Sequence, residues 1–297
     1  MTSIKEVEST ADSHRGPRDA RTIERPRPSL LAVLRWELRK LRKQTRARAV
    51  LIAALLGPIP IAIVIGGQSR PPKDTLFGRF ATDNGFALAL LILGFASQWV
   101  LPLLTAIVAG DVFASEDQHG TWKTVLTRSA SRGRLFWAKA ITAATFAVVM
   151  LLVVAASTII ASTLIVGHQP LIGLSGQTIP AGTALRLVSE AWATMLIPTL
   201  GFTCLAILLS VWSRNPAVGI AAPVVLGMVM ALVGSLGGIE ALRPLLLTTS
   251  FESWHGLLTD PQFHRPLVEG LVVSAVWSAL SLGGAYTMLR RRDITGG

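Results

Sequence analysis

Apolar residues in this chain are gathered into long blocks, separated by polar and basic stretches. A bilayer's hydrocarbon core is about 30 Å thick and takes about 20 apolar helical residues to cross. Six blocks meet that need: roughly 49–67, 86–110, 140–167, 187–212, 216–239 and 267–289. Four contain no Asp, Glu, Lys or Arg. The fourth carries Glu190 and the sixth Glu269, each near an end. The first block is short and holds Gly57, Pro58 and Pro60, which predicts a kink or a broken turn.

The polar stretches are patterned too. Over residues 29–48, Ser29 is a helix N-cap candidate, and Leu30, Leu34, Leu38 and Leu41 recur at helical spacing. Arg35, Arg39, Lys40, Arg42, Lys43, Arg46 and Arg48 fill the other faces. This predicts a basic amphipathic helix lying in the membrane interface. Residues 1–28 are rich in Arg, Pro, Ser, Thr and Glu and read as a disordered tail, with no cleaved leader expected. The 111–139 loop carries Ser115 and Gln118 in capping-box spacing, then a helix breaker at Gly120. Ser131 can start a further short helix over 133–139. Such a loop suits docking of a soluble partner. The 240–266 loop holds Leu245, Leu246, Phe251 and Trp254, too apolar for a free loop, and predicts a re-entrant or interfacial helix pair.

Composition agrees with the pattern. Of 297 residues, 51% are hydrophobic and 15% charged, and mean hydropathy is +0.54. Soluble domains carry about 25% charged residues, so a soluble enzyme is excluded. The net charge of +11 would suggest nucleic acid in a soluble protein. In a membrane protein it reports the bias of the cytoplasmic loops, and no nucleic-acid partner is expected. With both termini cytoplasmic, the inner segments hold 22 of the 28 Lys and Arg and the outer ones 6, which sets that orientation. The lone Cys204 excludes a disulfide framework or a Cys-cluster metal site.

Chemistry is sparse. There is no Gly-x-x-x-x-Gly-Lys phosphate loop, no His-Glu-x-x-His and no Cys-x-x-Cys, so the chain is not expected to be an enzyme or to hold a metal or cofactor. His255 and His264 share one loop but read as ordinary loop histidines. The span middles lack ionisable groups, which counts against an ion-coupled carrier. Glu190 pairs by spacing with Arg186. In the second span Ser97, Gln98, Pro102 and Thr105 form a polar strip that either lines a translocation path or bonds a neighbouring helix. In the fifth, Gly219, Pro223, Gly227, Ala231 and Ser235 recur every four residues, a small-residue stripe for a close helix contact within the chain or across a dimer axis.

The 111–139 loop also resembles that of ABC-2-type permease subunits of ABC transporters. Glu116-Asp117-Gln118-His119-Gly120-Thr121 is followed by Leu126, Ser131-Arg132 and Lys139. Arg35-Trp36-Glu37-Leu38-Arg39-Lys40 resembles the family's opening helix. The resemblance covers about 29–292 and departs from the usual loop at Gln118-His119. It implies an all-α integral membrane protein of the ABC-2 (type V exporter-like) permease fold, its six-span domain covering 49–292. It also implies a second permease chain and two copies of a separate ATP-binding subunit, with ATP and Mg held there and not on this chain. Carried over, Glu116, Asp117, Gly120, Thr121, Thr124 and Leu126 form the ATPase-docking surface, with Glu37 as a second contact. Ser97, Gln98 and Thr105 face the translocation path, and the span-five stripe sits near the dimer interface. A stand-alone transporter or facilitator and a membrane scaffold of a sensory complex remain the alternatives. Apolar spans favour an amphipathic or hydrophobic cargo, and the excess of Arg over Lys (22 to 6) fits a bacterial inner membrane.

Overall fold

The computed structural model describes residues 29–68, 75–120, 131–236 and 240–291. The tail at 1–28 lies outside the described residues. Six helical stretches are long and apolar enough to cross a membrane, and the chain is an all-α membrane protein.

Helix α1 spans Leu30–Lys43. Ser29 Oγ accepts from Ala32 N at 3.3 Å, and Lys40, Arg42 and Lys43 in the last turn complement the helix dipole. The buried face is Val33, Glu37 and Leu41, offset from the predicted leucine stripe, while Leu31 and Trp36 are exposed. The predicted single helix over 29–48 is corrected here. Gln44 is extended (ψ 126°) and divides it, so Arg46 and Arg48 belong to α2, Thr45–Leu56. The break turns the chain from one helix axis to the next.

Helix α2 and helix α3 (Pro58–Gly66) form the first crossing. They part at Gly57, where Pro58 and Pro60 cannot donate to the turn before them, as the sequence predicts.

The second crossing is a 34-residue stretch, Gly85–Gln118, in four pieces. Helix α4 (Gly85–Phe95) starts at Asn84, whose Oδ1 accepts from Phe86 N and Ala87 N. Phe86 to Leu93 are buried without exception, so this helix is central to the bundle. A π turn follows at Ala96–Val100, then α5 (Leu101–Ala109) and α6 (Asp111–Gln118). Pro102 withholds the donor that would bond the Gln98 carbonyl, which leaves the wider turn there.

The capping box predicted at Ser115 is not formed. Ser115 lies inside α6 because the helix runs on through Gly110. Ser210 Oγ accepts from Phe113 N (3.3 Å) and Ala114 N (3.0 Å), which ties the first turn of α6 to the fourth crossing. Ser210→Ala removes both of these bonds between the second and fourth crossings. It is expected to lower stability by about 1–3 kcal/mol, read as a fall in thermal midpoint in detergent.

Helix α7 runs unbroken from Arg132 to Val166. At 1.5 Å per residue its 35 residues reach about 50 Å, so part of it extends past the apolar slab. The short helix predicted over 133–139 is its first two turns. A hairpin pairs Leu171 with Ile179 and Ile172 with Thr178. Helices α8 (Ala181–Thr194) and α9 (Leu196–Ser213) form the fourth crossing, parted at Met195 above Pro198. Arg214, at φ 55°, and Asn215 turn the chain into α10, Pro216–Ser235.

Two 3-10 segments come next, Glu240–Leu245 and Leu247–Leu258. The second leans into the bundle. Leu247 fills the space over Gly201, Phe251 stacks on Phe202 at 5.7 Å, and Phe77 stacks on Trp254 at 6.0 Å. Helix α11, Arg265–Arg291, is the sixth crossing.

Candidate functional site

Lys139 lies eight residues into α7 and is almost wholly buried. A buried ammonium needs opposite charge and hydrogen bonds, or it destabilises the fold by several kcal/mol. Two carboxylates supply them. Glu116 Oε1 of α6 stands 2.9 Å from Lys139 Nζ, and Glu37 Oε1 of α1 stands 3.1 Å away. Glu116 also accepts from Lys40 Nζ at the cluster's edge. Exposure of the three central side chains is 2% for Lys139, 4% for Glu116 and 6% for Glu37, so water screens these charges little. Arg46–Asp111 (2.6 Å) adds a second bond between α2 and α6. Phe113 and Phe136, 5.6 Å apart, pack beside the cluster, with Lys139 Nζ 6.0 Å from the Phe113 ring.

Helix α1, the end of the second crossing and the start of the third are thereby locked by charge. Glu37 and Glu116 are corrected accordingly: they face each other across Lys139 and present no carboxylate to a docking partner. Asp117 is half-buried, while Gln118, His119 and Gly120 are exposed. Gly120 takes φ 61°, a left-handed turn suited to glycine. Thr121, Thr124 and Leu126 lie outside the described residues. Sequence reasoning missed the cluster. Its signal was a lone Lys inside an otherwise apolar helix, with acidic residues in both preceding elements.

The polar strip of span two is divided by the π turn. One extra residue in a turn rotates the remainder of the helix by about 100°, so Gln98 and Thr105 no longer share a face. Thr105 is buried and bonds the Leu101 carbonyl at 2.8 Å, which satisfies it within its own helix. Ser97 bonds the Gly94 carbonyl at 2.9 Å. Ser97 and Gln98 line a cleft of about 220 Å³ between the π turn and the Leu247–Leu258 segment, and Thr105 does not. Phe77, Phe251 and Trp254 are its aromatic walls, and Glu252 and His255 its titratable groups. Desolvation raises the Glu252 pKa against the opposing field of Arg243. Desolvation also lowers the His255 pKa, although its ring bonds the Glu252 backbone. A larger hollow of about 630 Å³ opens sideways between α3 and α7, lined by aliphatic side chains and suited to lipid tails.

The span-five stripe packs inside the chain. A Cβ on Gly219 would come within 2.4 Å of the Gly110 carbonyl oxygen, so the two backbones are in direct contact. Gly227 meets the Phe202 ring, and Pro223 is buried. For these three residues the close contact is thus one within the chain. Ala231 is half-buried and Ser235 exposed. Glu190–Arg186 (3.6 Å) and Glu269–Arg265 (2.7 Å) are exposed i,i+4 pairs. Among the described residues no three His, Cys, Asp or Glu side chains gather where a metal could be held.

A family model described as ABC-2 family transporter protein matches residues 33–234. The chain belongs to the ABC-2 family. It is thus a membrane permease of an ABC transporter, a transport component rather than a catalyst. The match takes in the Glu37–Lys139–Glu116 cluster and the Gly110–Gly219 contact, and it stops before the Leu247–Leu258 wall of the cleft. Among curated proteins none matches the chain. In this ABC-2 permease the matched stretch takes in the first five crossings and, with them, the whole charge lock.

Proposed function

We propose that this permease is the membrane half of an exporter in a bacterial inner membrane, with both termini cytoplasmic. Two permease chains pair, and each docks a separate ATP-binding subunit against its 111–139 segment. ATP and Mg act on that subunit. The cargo is amphipathic or hydrophobic.

One observation carries this reading. The charge lock joins the interfacial helix, the second crossing and the third into a single unit at the end where Gln118–Gly120 stands exposed. A push on that tip moves the buried second crossing with it. Buried ion pairs fix geometry better than they add stability, which suits a part that transmits force. The split of basic residues, 22 against 6, supports placing this end in the cytoplasm.

The test is co-expression with the ATP-binding subunit encoded beside this chain, and purification through a tag on this chain alone. Stoichiometric co-elution with ATP hydrolysis is expected. A Gln118→Arg/Thr121→Trp double variant, which spares the buried lock, is expected to lose the partner. Elution of the intact chain alone in mild detergent would overturn the reading.

A further inference from the structure

The cleft between the π turn and the Leu247–Leu258 segment has no part in the docking reading. Its composition is specific. Phe77 and Trp254 are stacked and buried, Phe251 closes a second wall, and Gln98 adds a half-buried amide. Glu252 stands at the mouth. Among the described residues its carboxylate has no ion partner within 4 Å, although Arg243 acts on it from farther off. Glu37, Glu116, Glu190 and Glu269 are each paired with Lys or Arg. A π turn in a membrane helix recurs at functional positions. At about 220 Å³ the cleft lies below the usual range of about 300–1,000 Å³ for drug-sized ligands, so its occupant is small.

We propose that this cleft binds a small organic cation, an amine or quaternary ammonium on an aromatic or bulky apolar body. The exposed ring of Phe95 takes the body over a floor made by the buried Phe77, Phe251 and Trp254, and an aromatic ring face attracts a cation. Glu252 takes the charge. A cation arriving beside the carboxyl favours its ionised form, so binding and ionisation reinforce each other. The cleft has one wall inside the family match and one beyond it. The proposal deepens the permease reading by naming a cargo class, and it rests on that reading for transport only.

The test is calorimetric titration of benzyltrimethylammonium into the full chain in phosphatidylcholine nanodiscs. Phenylacetate serves as the oppositely charged analogue. Saturable binding of the cation and none of the anion are expected. Glu252→Gln is expected to weaken cation binding about tenfold or more while eluting as the parent chain does. Equal binding by Glu252→Gln, equal binding of phenylacetate, or the same heat from empty nanodiscs would each overturn the proposal. With the ATP-binding subunit present, cation-stimulated ATP hydrolysis that Glu252→Gln abolishes supports the cargo role. Binding without stimulation overturns that role. Co-elution of the subunits reads the permease pairing separately.

Discussion

Lys139→Met is expected to lose most of the folded protein. The substitution leaves Glu37 and Glu116 facing each other in a buried site, with Lys40 at its edge. Removing one partner of a buried ion pair destabilises by about 3–5 kcal/mol, a large share of a fold's usual margin of about 5–15 kcal/mol. Fluorescence-detected size exclusion and thermal unfolding in detergent would show a collapsed monodisperse peak or a much lower midpoint. The triple variant Glu37→Gln/Glu116→Gln/Lys139→Met removes all three charges at similar volume, and its stability is expected to return close to the parent's. A triple variant as unstable as Lys139→Met would show that packing, not charge, holds the site. If the stable triple variant still binds the ATP-binding subunit but uncouples hydrolysis from transport, the lock transmits motion.

Gly219→Leu is expected to be nearly as damaging, for a steric reason. The atoms nearest a new Cβ are the Gly110 carbonyl oxygen, in outright overlap, the Gly110 carbonyl carbon at 3.2 Å and Ser210 Cα at 3.3 Å, all backbone. No rotamer change relieves such a clash, so α10 must move away from the second crossing. Overpacking costs about 1–3 kcal/mol where side chains can shift, and this site belongs at or beyond the upper end. The movement also strains the Ser210 bonds to Phe113 and Ala114. Ser235→Leu, on the same stripe but exposed, is expected to change stability by no more than about 0.5 kcal/mol. Comparable damage at both positions would restore a contact across a second chain as the stripe's purpose.

Six crossings and the family were legible because both rest on composition and length. Twenty uncharged apolar residues have few fates, and Gly57-Pro58 breaks a helix in any context. The site was less legible because pairing in space decides it. Glu116 reads as an exposed loop acid until α6 is seen to continue the second crossing through Gly110. Lys139 reads only as the last residue of the loop pattern until two acids from distant elements are seen to reach it. Gln98 and Thr105 share a face only on a regular helix, and the π turn above Pro102 removes that regularity. The stripe of α10 was read correctly as a close-contact face, but a periodicity along one helix cannot say whose backbone meets it.

The two-residue turn at Arg214–Asn215 bears on biogenesis. It leaves no slack between α9 and α10, so once both have formed they stand side by side. Helix α10 carries Gly219, Pro223 and Gly227 in its interior and is a poor helix in isolation. Its hydrogen bonds mature against a neighbour already in place. The pair is therefore expected to insert as a hairpin, and a flexible insert that lengthens the turn is expected to slow the appearance of folded protein in a pulse-chase before it alters transport.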